Sequence, residues 1–169
     1  MNPSDDYAAN FARKIAMKID PLEDNEFKAL IQLMCWDAVK YCALKAGIIN
    51  EAQNQRIQAK TDMVNLKDPV VIGPDALRRL RPGNVLGFFV DDKFIIHAML
   101  CTGQGKAAGN KNDCVGVGKN VGWELLDLAS RLQWAENGTV MAPPGMHGFD
   151  KPFRTVYIHY RPISYLAFR

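Results

Sequence analysis

The sequence predicts an α+β fold in which N-terminal helices pack on a small antiparallel β-sheet. Three observations carry this expectation. Apolar residues recur at helical spacing in the N-terminal part of the chain. From Val85 onward, short apolar runs are separated by tight turns, as antiparallel hairpins require. Helices and strands do not alternate along the chain, so a parallel sheet built from crossover units is not expected. A length of 169 residues fits one domain, taken as residues 1–169, with a substantial buried core. There is no internal repeat and no low-complexity segment.

Taken in order, residues 5–19 read as a first helix, with Tyr7, Phe11, Ile15 and Met17 as core contacts, ended by Pro21. Asp24 is the N-cap of the next helical stretch, with Glu26 in its first turn. Phe27, Leu30, Ile31, Met34, Ala38, Tyr41 and Cys42 then repeat at helical spacing until Gly47, as one helix or as two broken just before Cys35. Residues 50–68 are polar and read as a helix followed by a loop, and Pro74–Leu80 as one or two helical turns. Pro82-Gly83 is a turn, Val85–Val90 a strand, Asp91-Asp92-Lys93 a hairpin turn and Phe94–Cys101 the returning strand. Gly103-Gln104-Gly105 turns into a third strand at Lys106, and Asn110–Gly122 is a Gly- and Asn-rich loop. Trp123–Trp134 has the spacing of an amphipathic helix. Pro143-Pro144-Gly145 breaks the chain, and Phe153–Tyr160 and Ile163–Phe168 read as two final strands.

Composition excludes several classes. A hydrophobic content of 48% with 23% charged residues is ordinary for a soluble globular chain. The net charge of +3 is too small to suggest a nucleic-acid partner, and the one tight basic group, Arg78, Arg79 and Arg81, reads as a solvated helix end. No run is long enough for a membrane span. The N-terminus lacks the basic-then-apolar pattern of a secretory signal, so export by the general pathway is not expected. Cys35, Cys42, Cys101 and Cys114 show neither zinc-ligand spacing nor a CxxC pair and are expected as free thiols, with no metal and no cofactor.

The chemistry-bearing pattern is a cysteine on a helix followed by a histidine on a strand. Cys35 opens the helical run Cys35-Trp36-Asp37-Ala38-Val39, and His97 lies in Phe94-Ile95-Ile96-His97-Ala98-Met99-Leu100. Leu80-Arg81-Pro82-Gly83-Asn84-Val85-Leu86-Gly87-Phe88-Phe89 resembles the "L-x-P-G-D-hydrophobic-x-F-F" strand of the NlpC-type cell-wall peptidases. His97–Lys106 resembles their "H-V-G-I-Y-x-G-N-G" strand and turn. The resemblance runs from about Cys35 to Asn112. It departs from the pattern at the nucleophile, which is Met34-Cys35-Trp36 rather than Asp-Cys-Ser; at Gly109, where the family carries its third polar residue; and at Met99, where it carries glycine.

The resemblance implies a papain-like cysteine hydrolase with Cys35 as nucleophile and His97 as general base, acting on an amide bond of a peptidoglycan peptide. A helix beginning at Cys35 would lower its pKa, and its backbone amide would serve as oxyanion donor. Cys42, on nearly the same helical face, is the rival nucleophile, and His147 and His159 are the rival bases. With Gly109 unable to orient an imidazole, Asn110 is the expected third residue, and Asn112 sits on the same side if the strand continues through both. Trp36, Asn112 and Trp123 are candidate substrate contacts. The lack of a signal suggests either a toxin-like effector, exported by a dedicated secretion system and checked by an immunity protein, or a cytoplasmic enzyme. Two other readings remain open from the residues: a glutamine deamidase or transglutaminase acting on proteins, and a non-catalytic binding module on the same fold.

Overall fold

The computed structural model describes residues 3–91, 93–144 and 153–169. Asp92 of the hairpin turn, Gly145 and His147 lie outside them. The fold is α+β, as the sequence implies. Helix α1 (Pro3–Ala16) packs with α3 (Cys35–Lys45) on one face of the sheet, and the short α2 (Asn25–Ile31) leads into α3. The side chain of Asp24 accepts from the amide of Phe27 at 2.9 Å and caps α2. The helical stretch is broken at residues 32–34, so that α3 begins at Cys35 itself. Along α1, Ala8, Ala12 and Ile15 are buried, whereas Tyr7 and Met17 face solvent, contrary to expectation. The tail of the apolar pattern overran the helix, which ends at Ala16.

Beyond α3 come α4 (Glu51–Arg56), α5 (Ala59–Asp62), the two-residue strand β1 (Val70–Val71) and α6 (Gly73–Arg79). The main hairpin is β2 (Asn84–Val90) and β3 (Phe94–Gly103), followed by β4 (Lys106–Gly109), β5 (Glu124–Asp127), α7 (Leu128–Arg131), β6 (Val140–Ala142) and β7 (Arg154–Pro162). The strands form one antiparallel sheet in the order β1-β7-β2-β3-β4-β5, with β6 also pairing β7. Two expectations fail here. Trp123–Trp134 is not one helix: Glu124–Asp127 pairs with Lys106–Gly109, and only Leu128–Arg131 is helical. Ile163–Phe168 is a 3-10 helix, not a strand, and buries Ile163 and Leu166 at its i, i+3 spacing.

The sheet separates two apolar clusters. One, with Leu30, Val39, Val85, Ala98 and Leu100, lies under α1 and α3. The other, with Leu77, Leu86, Phe88, Met99 and Leu128, lies under α6 and α7. β2 and β3 fall out of register between Phe88 and Phe89, where Phe88 pairs His97 and Phe89 pairs Ile95. This bulge falls next to His97, the kind of position where bulges re-aim side chains. No helix among the described residues is long and apolar enough to cross a membrane.

Candidate active site

β4 ends at Gly109 and pairs β3 only from Leu100 to Gly103. Farther back along β3, backbone groups are left for other partners, and two of them meet sulfur. The Ala98 amide points to the Cys35 thiol, and the Ile96 carbonyl accepts from the Cys114 thiol at 3.9 Å. His97 lies between these two residues on the strand. The first residue of α3 is therefore held against β3 at Ala98, the residue that follows His97.

His97 is fully buried, with its ring 5.5 Å from that of Phe88. Its Nε2 is 3.0 Å from the Oδ1 of Asn112. The orientation of that amide is determined by its other end: Asn112 Nδ2 donates to the Gly109 carbonyl at 2.9 Å and to Glu124 Oε1 at 3.2 Å. An Oδ1 can only accept, so Nε2 of His97 carries the proton and Nδ1 keeps its lone pair. Nδ1 is buried and has no hydrogen-bond partner. The arrangement thus holds an imidazole with a free basic nitrogen in a site closed to solvent.

The orienting residue is Asn112, not Asn110, and this corrects the expectation from spacing. β4 stops at Gly109, so the two asparagines do not share a strand face. Lys111 adopts a left-handed conformation (φ 61°) that turns the chain and brings Asn112 back toward the histidine. Asn110 is equally buried, but it donates to the carbonyls of Leu30 (3.2 Å) and Leu33 (3.0 Å) and accepts from the Gly122 amide (3.2 Å). It clamps the break before α3 and so positions Cys35 from behind.

Gly109 and Met99, two departures from the NlpC-type pattern, meet here. A Cβ on Gly109 would lie 2.7 Å from Asn112 Oδ1 and 2.8 Å from Met99 Cγ. The absent side chain is what lets Asn112 approach His97 while Met99 fills the space beside it. The polar side chain that meets the imidazole comes from position 112, three residues on.

Cys35 is 3% exposed. Met34 provides no side-chain cap, and the amides of Cys35 and Trp36 in the first turn of α3 favour a thiolate. Burial nevertheless dominates and pushes the Cys35 thiol up to about 11, with Asp37 adding to the rise. This overturns the expectation of a thiol acidified by the helix start. Burial likewise holds the His97 imidazole down to about 4, partly countered by Asn112. At neutral pH the thiol and the imidazole are therefore each neutral.

The rival residues Cys42 and His159 are placed elsewhere. Cys42 is fully buried in the α3 core, and its thiol donates to the Ala38 carbonyl at 3.5 Å. His159 lies on β7, its Nδ1 2.8 Å from the Asp68 carbonyl. Trp123 does not line a groove: it is buried, and its indole donates to the Ala12 carbonyl at 2.8 Å, tying α1 to the sheet. Asn112 serves the histidine rather than a substrate. Trp36 is half-buried, with the Lys60 ammonium 5.0 Å from its ring centre. Cys114 is near enough to Cys35 that charge on one thiol raises the other; burial is the larger cause of its rise to about 12. No group of three or more His, Cys, Asp or Glu residues suited to hold a metal exists among the described residues. Comparison with known proteins returns no match: no family model fits the chain, and no curated protein or solved structure is significantly similar to it.

Proposed function

We propose that this chain is a cysteine-dependent amide hydrolase of the papain-like kind, with Cys35 as nucleophile, His97 as base and Asn112 as orienting residue. The observation that carries the reading is the His97–Asn112 hydrogen bond, which leaves a buried, unpartnered Nδ1 on the residue next to the amide that meets the Cys35 thiol. Because both groups rest neutral, thiolate formation and attack are coupled. Nδ1 takes the thiol proton as sulfur adds to the amide carbonyl, and the imidazolium then gives that proton to the leaving amine. The thioester left on Cys35 is hydrolysed by a water that Nδ1 deprotonates. The first amides of α3 are the oxyanion donors.

The resemblance of Leu80–Phe89 and His97–Lys106 to the NlpC-type strands supports a peptidoglycan peptide as substrate. A toxin-like role with a dedicated export route and an immunity partner belongs to the same proposal. The test sets purified peptidoglycan beside protein glutamine donors and compares the wild-type protein with Cys35→Ala. Release of new amino groups from peptidoglycan, lost in Cys35→Ala, is the expected result. Ammonia release from the protein donors alone would make the chain a deamidase. Equal behaviour of wild type and Cys35→Ala on every substrate would remove the enzymatic reading and leave a binding module.

A further inference from the structure

An open pocket of about 460 Å³ lies between α5 with its following loop and the tip of the β2–β3 hairpin. Its floor is apolar, from Val64, Phe89 and Ile95, and Leu66 and Phe94 stand exposed on its rim. Three cations line it: Lys60, Lys67 and Lys93. Lys60 is the one whose ammonium rests on Trp36, so the basic wall begins at the residue after the nucleophile. No carboxylate lies within ion-pair distance of the three ammonium groups among the described residues.

Two acidic residues of the α5 side, Asp62 and Asp68, are already engaged. Asp62 accepts from the Gln58 amide at 2.9 Å and pairs with Arg169 at 3.3 Å. Asp68 pairs with Arg161 at 2.5 Å and accepts from the Asn65 amide at 2.8 Å. Three ammonium groups without an ion-pair partner among the described residues thus ring an apolar concavity. A ligand complementary to it has a carboxylate close to an apolar side chain.

We propose that this pocket is the acyl-side subsite of the thiol site and takes a peptide segment in which a carboxylate neighbours an apolar side chain. The proposal rests on the reading of Cys35 as the nucleophile. The apolar side chain enters between Phe94 and Val64, and the carboxylate reaches the lysines. The scissile carbonyl then falls on the Trp36 side, toward Cys35. Exposed lysines give specificity through charge rather than a fixed hydrogen bond, so the preference is for acidic peptides as a class and weakens with salt.

Isotope-labelled Cys35→Ala protein, which binds without turnover, is titrated with N-acetyl-Glu-Leu amide, with N-acetyl-Gln-Leu amide and with phosphatidylglycerol vesicles. Backbone amide signals of Leu66, Lys67 and Phe94 are followed by NMR. Saturating shifts with the Glu peptide, about tenfold weaker binding of the Gln peptide, and loss of that difference in a Lys60→Gln/Lys67→Gln/Lys93→Gln variant are expected. Equal affinity for the two peptides overturns the proposal. So do the absence of shifts at millimolar peptide, a response to vesicles alone, and shifts that follow protein concentration without ligand. Since binding is read without catalysis, such a failure leaves the Cys35-dependence of hydrolysis to be judged separately.

Discussion

Asn112 is the residue at which sequence and structure part most instructively. Spacing puts Asn110 nearest the expected position, yet a left-handed Lys111 delivers Asn112 to the imidazole and leaves Asn110 clamping Leu30 and Leu33. The two substitutions should therefore differ in kind. Asn112→Ala frees the His97 tautomer and should lower turnover per folded molecule on the order of tens- to thousands-fold. Asn110→Ala takes the partner from the Leu33 carbonyl and from the buried Gly122 amide, while the Leu30 carbonyl keeps the Leu33 amide, and should cost about 1–3 kcal/mol of stability. Paired denaturation and activity measurements check this; equal effects on turnover per folded molecule would count against the assignment. A second prediction concerns Cys35. Burial raises its thiol from the usual 9.0 to about 11, so the thiolate becomes scarcer at neutral pH and alkylation slower than for a free cysteine. Its iodoacetamide labelling should climb about tenfold per pH unit from neutral upward and level off only near the raised value. A plateau reached in the acidic range would mean a preformed thiolate–imidazolium pair instead.

At the scale of elements, the sequence was most legible where local chemistry and tertiary context agree. Asp24 caps α2, Cys35 opens α3, and the β2–β3 hairpin lies where its apolar runs suggest. It was least legible where pairing with a distant strand overrides local spacing. Leu125, Leu128, Ala129 and Leu132 have helical periodicity, but the free edge of β4 recruits Glu124–Asp127 as a strand and only the remainder coils. The candidate site follows the same division. Cys35 and His97 sit on regular elements and were readable; Asn112 sits in a loop whose course depends on a positive φ and on an empty space at Gly109. That space is testable. Gly109→Ala places a methyl group 2.7 Å from Asn112 Oδ1 and 2.8 Å from Met99 Cγ, and one of them must move. Turnover should fall about as far as in Asn112→Ala, and the double variant should be little worse than either, because both remove one function. Additive losses would show that the two residues act separately.

The whole molecule is closed by contacts between its ends, which no local pattern announces. Asp5 in α1 is buried and accepts from the Ser164 amide at 2.8 Å and the Ser164 hydroxyl at 3.1 Å, 159 positions along the chain. Gly83, at the entry to β2, has no room for a side chain against Asp5: a Cβ there would lie 2.4 Å from that of Asp5. The α1 helix, the turn before the central strand and the C-terminal 3-10 helix thus meet at one point. The Trp123 indole ties the far end of α1 to the sheet through Ala12. These contacts hold α1 and α3 on the sheet and keep the Cys35 end of α3 against β3, yet none touches the reacting groups. Asp5→Ala leaves the partly buried Ser164 amide without its acceptor and should cost about 1–3 kcal/mol. For a chain of this length that lowers the melting temperature by about 2–4 °C for each kcal/mol. Cys35-dependent activity per folded molecule should stay at the wild-type level, because His97, Asn112 and the start of α3 keep their partners. A variant that melts normally would show that the Asp5–Ser164 junction contributes nothing. One that is stable but inactive would mean that this junction shapes the thiol site itself.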